Sequence, residues 1–170
     1  EDGKKVTTRL EEEIARVIRR CYGPFLAIAE PGAPKASGAA RDYAAGEAWR
    51  ARVIEWMDAA RFIIVIAGWT EGLQWEMSTV LERGHVNKLV LLFSPDPQHA
   101  KARWAWIQHA FRSLPWSAAI DGVDVNTARI AFARRDGPLM VVRGTDADKY
   151  EFEAALHLAV HGLLVRSAEP

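Results

Sequence analysis

The chain has 170 residues, 49% of them hydrophobic and 26% charged, with 22 basic side chains balanced by 22 acidic ones. That length suffices for one domain with a sizeable core, and a mean hydropathy of -0.11 excludes collagenous, low-complexity and wholly disordered chains. A formal net charge of zero supplies no global field toward phosphate backbones or anionic lipid, so no nucleic-acid partner is expected.

Cys21 is the single cysteine, which rules out an internal disulfide and a thiolate metal cluster and points to the cytoplasm. The longest apolar runs, Phe62 to Ala67 and Leu89 to Phe93, fall far short of the roughly 18 residues of a membrane span. No membrane contact is expected from this segment itself. The chain opens at Glu1 rather than methionine, so it is expected to belong to a longer protein.

Thr8 and Glu11 have the spacing of a capping box, and Leu10, Ile14, Val17 and Ile18 follow at helical spacing, which predicts a helix over 9–21 that Gly23-Pro24 stops. Cys21, at the end of that apolar face, is expected to be structural. Phe25 to Ala29 reads as a short buried strand, and residues 30–46, rich in Gly, Pro and Ala, as a long loop leaving it. Trp49, Val53, Met57 and Ala60 predict a helix over 47–60. The β-branched apolar run 62–67 predicts a strand covered on both faces. After a turn at Gly68 to Gly72, Leu73, Met77, Val80 and Leu81 mark a helix ending at Gly84, and 89–93 reads as a third buried strand.

Ser94-Pro95-Asp96-Pro97 breaks the chain before a helix with Trp104, Ile107, Phe111 and Leu114 on one face, ended by Pro115. The runs 129–133 and 139–143 flank Arg134-Arg135-Asp136-Gly137, a hairpin signal. Thr145 or Asp146 is placed to cap a last helix carrying Phe152, Leu156, Ala159 and Leu163. This alternation predicts an α/β chain: a three-layer Rossmann/flavodoxin-like domain with a mostly parallel central sheet and a C-terminal antiparallel hairpin. Ligands of such sheets collect beyond the carboxyl ends of the strands, which directs attention to the 30–46 loop and the 68–76 turn.

In Gly68-Trp69-Thr70-Glu71-Gly72-Leu73-Gln74-Trp75-Glu76, two glycines permit close backbone approach, Thr70 can cap the helix, and the first-turn amides favour an anion. At about 100° per residue Glu76 falls at the boundary of the apolar face and Trp75 nearly opposite it. A strand, a short turn and a helix opening with a small polar residue, a tryptophan and a glutamate resembles the region carrying the catalytic glutamate in Toll/interleukin-1 receptor (TIR) domains with NAD-cleaving activity. The Gly-Thr-x-x-Glu pattern of nucleoside deoxyribosyltransferases is similar. The resemblance covers about 70 residues, Phe25 to Phe93, and only Glu76 matches the family glutamate. In TIR domains several residues separate the tryptophan from that glutamate, whereas Trp75 and Glu76 are adjacent here.

The resemblance implies a single TIR-like domain over 1–170 that binds a nucleotide and hydrolyses the N-glycosidic bond of NAD or a related nucleotide. NAD is then a substrate, with no cofactor and no metal required, because one carboxylate near the ribose can stabilise an oxocarbenium-like state. Three readings of Glu76 stand: the catalytic carboxylate, a ligand contact without turnover, or a solvated glutamate favoured by the helix dipole. A non-catalytic sensing or self-assembling module, forming a homo-oligomer within a larger, membrane-attached bacterial protein, is the alternative function.

Gly32, Arg41 and Tyr43 in the long loop, with Gly68, Trp69, Thr70, Gly72 and Trp75, complete the candidate ligand set: Arg41 suits a phosphate, and Tyr43 a base. Glu153, His157 and His161 lie four apart on the last helix, a spacing that can chelate zinc, but apolar neighbours favour a partly buried histidine face over a metal site. Seven tryptophans are many for this length. Trp69, Trp75, Trp106 and Trp116 fit none of the apolar faces, so some are expected to be partly exposed.

Overall fold

A computed structural model describes residues 2–27, 47–68, 70–93, 100–112, 117, 121–124, 126–133, 138–145 and 149–164. The chain divides into two compact units, residues 1–59 and 60–170.

The first unit holds α1 (Asp2–Cys21) and α2 (Glu47–Ala59). On α1, Leu10, Ile14, Val17 and Ile18 are buried at the predicted spacing. The helix begins six residues before Thr8, so the expected capping box is not its start: Lys4, Lys5, Arg9 and Glu11 are good helix formers, and nothing between Gly3 and Thr8 breaks the turn. The helix stops before Gly23-Pro24 as expected. Cys21 shares the angle of the apolar stripe but, as the last helical residue, is exposed. Burial, and secondarily the neighbouring Cys21 thiolate, push the Tyr22 phenol above its ordinary pKa. On α2, Val53 and Met57 are buried, and the Arg52 guanidinium lies 5.5 Å from the centre of the Trp56 ring. Only an isolated bridge at Leu26 falls within the expected strand at 25–29, whose last two residues lie outside those described.

The second unit is a four-stranded sheet in the order β1-β2-β3-β4, with β1 at Ile63–Ile66, β2 at Leu89–Leu92, β3 at Ala128–Ala133 and β4 at Leu139–Arg143. β1 and β2 pair in parallel from Ile63↔Leu89 to Ile66↔Leu92, joined by α3 (Glu71–Glu82) and a single 3-10 turn at His85–Lys88. α3 ends where Gly84 takes a left-handed φ of 70°, a conformation that costs glycine little. β3 is antiparallel to β2, and β4 to β3. Among the described strands the sheet is therefore mixed rather than mostly parallel. The long connection from β2, which carries α4 (Ala100–Phe111), returns the chain at the edge that holds β2's carboxyl end, so β3 must run back antiparallel. The hairpin itself is as expected.

Every residue of β2 and β3 is buried, which explains their near-continuous apolar runs, while on β4 Leu139, Val141 and Val142 are half-buried and Met140 and Arg143 exposed. The final helix α5 (Lys149–Leu164) packs on β3 and β4 through an apolar face that includes Phe152, Leu156 and Ala159. Trp104 of α4 meets Phe93 just past β2, ring centres 5.3 Å apart.

Among the described residues, one charge interrupts this core. Arg129 of β3 is 5% exposed. Its Nε donates to Glu151 Oε2 of α5 at 3.1 Å, its Nη1 to the carbonyls of Asn126 at 2.9 Å and Ala128 at 3.3 Å, and its Nη2 to the Gly144 carbonyl at 3.4 Å. The other Glu151 oxygen accepts from the Thr145 amide at 2.6 Å. The turn before β3 is tied in as well, with Asp124 Oδ1 accepting from the Asn126 amide at 3.0 Å. A Cβ on Gly144 would lie 2.1 Å from Glu151 Oε2, so only glycine fits beside the seated carboxylate.

Arg129→Met leaves the half-buried Glu151 carboxylate without its guanidinium partner and is expected to cost about 3–5 kcal/mol. Glu151→Gln, at the more exposed partner, should cost about 1–3 kcal/mol. Gly144→Ala displaces the same carboxylate, so its cost should be strongly non-additive with Glu151→Gln in a double-mutant cycle from urea denaturation. Additive losses would show that the glycine and the ion pair are not coupled.

Candidate functional site

The parallel pair places the carboxyl ends of β1 and β2 at one edge of the sheet, and the antiparallel strands add the amino end of β3 and the carboxyl end of β4. Pairing continues one step past the strands at this edge: the Ala67 amide donates to the Leu92 carbonyl at 2.8 Å, and the Phe93 amide to the Arg129 carbonyl at 2.9 Å. The Arg129–Glu151 cluster thus borders the same edge as the start of α3, two strand spacings from β1, or about 10 Å across the sheet.

Thr70 is the N-cap of α3, as expected. Its backbone is extended at φ -69° and ψ 153°, and its Oγ1 accepts the Leu73 amide at 3.3 Å. The Gln74 amide donates to the Thr70 carbonyl at 3.0 Å, closing the first full turn. Thr70 and Glu71 are exposed, and Gly68 and Gly72 half-buried. A Cβ on Gly68 would come within 3.1 Å of Leu73 Cδ2, so that glycine brings the backbone close to the helix it precedes. Gly68, Thr70 and Gly72 are brought together at the carboxyl end of β1. Gly32, Arg41, Tyr43 and Trp69 lie outside the described residues.

Glu76 is half-buried, and the buried positions on α3 are Met77, Thr79 and Val80. At about 100° per residue Glu76 falls between Thr79 and Val80 around the helix, inside the buried arc rather than at its margin. Six residues past the cap, it stands about 9 Å back along the axis from the edge. Burial of Thr79 widens the arc beyond what the apolar residues mark. Its hydroxyl stays satisfied by donating to the Trp75 carbonyl at 2.8 Å, a back-bond that conceals a polar side chain in a helix. Trp75, expected nearly opposite the apolar face, is half-buried, as is Trp106. Trp116 lies outside the described residues.

On α5, Glu153 and His157 are half-buried and His161 exposed. Among the described residues no group of three His, Cys, Asp or Glu side chains is placed to hold a metal ion, and no helix is long and apolar enough to cross a membrane. Arg129 and Glu151 escaped the sequence reading. The signal was present: an arginine inside the otherwise apolar run Ala128 to Ala133 must find a buried acceptor set.

Comparison with protein-family models, with curated proteins and with solved structures gives no match.

Thr70→Ala removes the cap oxygen and should lower stability by about 1 kcal/mol, while Thr70→Ser should restore most of it. Equal melting temperatures for wild type and Thr70→Ala would show that the cap contributes nothing to α3.

Proposed function

We propose that this chain is a TIR-like nucleotide-binding module of three-layer α/β design, acting in the cytoplasm, in which Glu76 serves hydrolysis of the N-glycosidic bond of NAD or a related nucleotide. The observation supporting this reading is the position of Glu76: a carboxylate kept inside the buried arc of a helix that links two parallel strands and starts at their carboxyl edge. A glutamate with only a solvation role would sit on the outer arc with Gln74 and Ser78, which are exposed. Departure of a cationic nicotinamide leaves positive charge on the ribose, and a carboxylate beside it lowers that barrier without a metal. The glycines at 68 and 72 and the Thr70 turn give a ligand access to backbone amides at the same edge.

The second reading is a non-catalytic, self-assembling module. It is favoured by α5, where Tyr150 is 66% and Leu158 61% exposed. With the exposed Ala154 between them, they form an outward apolar stripe at a four-residue spacing.

Wild type and Glu76→Gln, assayed at high protein concentration for release of base from NAD and from nucleosides, separate the two. Turnover by wild type, reduced more than about ten-fold in a Glu76→Gln variant with unchanged far-UV circular dichroism, is the expected result. No product from wild type, with concentration-dependent assembly lost in Leu158→Lys, would replace the enzyme reading with the assembly reading.

A further inference from the structure

We propose that the outer edge of β4 is a self-association surface, on which a second copy of this chain adds its own β4 in antiparallel register. The observation that carries it is the direction of the backbone groups. Where β2 meets β3 the Phe93 amide donates to the Arg129 carbonyl at 2.9 Å, so Arg129 and Ala131 direct their backbone groups toward β2, and Ile130 and Phe132 direct theirs toward β4. Phe132 lies opposite Met140 and Ile130 opposite Val142, which makes Met140 and Val142 the inward-bonded residues of β4. The N–H and C=O groups of Leu139, Val141 and Arg143 therefore point away from the sheet. β4 is the last strand in the sheet order, and among the described residues none bonds to that outward row.

An open row of this kind is a template for another strand, and folded proteins blunt it with lysine, proline or a covering segment. The run from Leu139 to Val142 is wholly apolar, and Arg143 is the one charge of the strand. Met140 is 42% exposed. It stands on the face that α5 packs against, since it lies opposite Phe132 and a Cβ on Gly162 of α5 would come within 3.0 Å of the Phe132 ring. An apolar side chain is thus left open beside an open hydrogen-bonding edge.

The register identifies the occupant. The outward row is centred on Val141, so a two-fold axis at that residue brings Val141 against Val141 of the partner subunit and Leu139 against Arg143 of the partner subunit, and each outward donor meets an outward acceptor. Met140 then faces Val142 of the partner subunit, which covers the exposed methionine with apolar surface. Charge selects the same direction. In this antiparallel pair the two Arg143 residues stand about 14 Å apart along the strands, whereas a parallel in-register pair would set like charges side by side. An unrelated peptide would have to bring a matching row; a second β4 already carries it.

The edge does not include Glu76 or the outward stripe of α5, and the inference depends on neither functional reading. Analytical ultracentrifugation from about 1 μM to 1 mM, with amide exchange read residue by residue by NMR, tests it on wild type, Met140→Lys and Val141→Pro. We expect a wild-type dimer in which the amides of Leu139, Val141 and Arg143 gain protection as concentration rises, while those of Met140 and Val142 are protected throughout. Lysine at 140 puts a cation from each copy at the pairing, and proline at 141 removes an outward donor without touching an inward one. Each should weaken the dimer by at least about ten-fold. The proposal is overturned if wild type stays monomeric at about 1 mM, if a dimer forms without added protection of those three amides, or if folded Met140→Lys dimerises as wild type does. A dimer lost in Leu158→Lys but kept in Met140→Lys overturns it as well and assigns association to the α5 stripe. Should Val141→Pro fail to fold, the wild-type exchange pattern and Met140→Lys decide the matter alone.

Discussion

A permanent cation buried in a strand sets the terms for the second unit. The other five residues of β3 are apolar and buried, so the Arg129 guanidinium can enter only if its donors are met there. They are met by one carboxylate from α5 and by carbonyls at Asn126, Ala128 and Gly144. Those partners come from the turn before β3, the end of β4 and the first turns of α5, so satisfying one side chain brings three separate stretches of chain to one place. Gly144 belongs to the same arrangement, since the carboxylate occupies the space where a side chain would stand. The cluster is a structural clamp whose polar atoms are directed at one another.

The clamp closes one side of the sheet edge that the parallel pair opens. β1, α3 and β2 form the only parallel crossover among the described residues, and Thr70 starts its helix at the strand's carboxyl end. Glu76 stands two turns back, within an arc that Met77, Thr79 and Val80 bury. Its surroundings are drier than a helix surface. A carboxylate in such a half-buried position interacts more strongly with a neighbouring charge than it would in water.

The first unit distributes its chemistry differently. One face of α1 carries the buried stripe from Leu10 to Ile18, and the face lined by Glu12, Arg16, Arg19 and Arg20 borders a hollow. α2 repeats the local pattern on a smaller scale, where Arg52 lies over Trp56 and pairs with Glu55 at 2.8 Å.

What the sequence by itself determined is everything that rests on local periodicity. The helices carrying Val53, Trp104 and Phe152, the strands at 63–66 and 89–92, the hairpin of β3 and β4 and the Thr70 cap follow from spacings of a few residues, because each element buries one face or both and the side-chain pattern repeats with its geometry. The start of α1 was not legible, since a threonine and a glutamate three apart mark a cap only where the helix does not already run through them. Strand direction was decided by the tertiary structure: a continuous apolar run is the same whether its neighbours are parallel or antiparallel, and the connection through α4 returned β3 antiparallel. Tertiary structure also chose the partners of Arg129, 22 residues from Glu151 in the chain. It drew Thr79 and Glu76 into a buried arc that composition alone assigns to the surface, because burial depends on what is packed against a residue, and distant parts of the chain supply that.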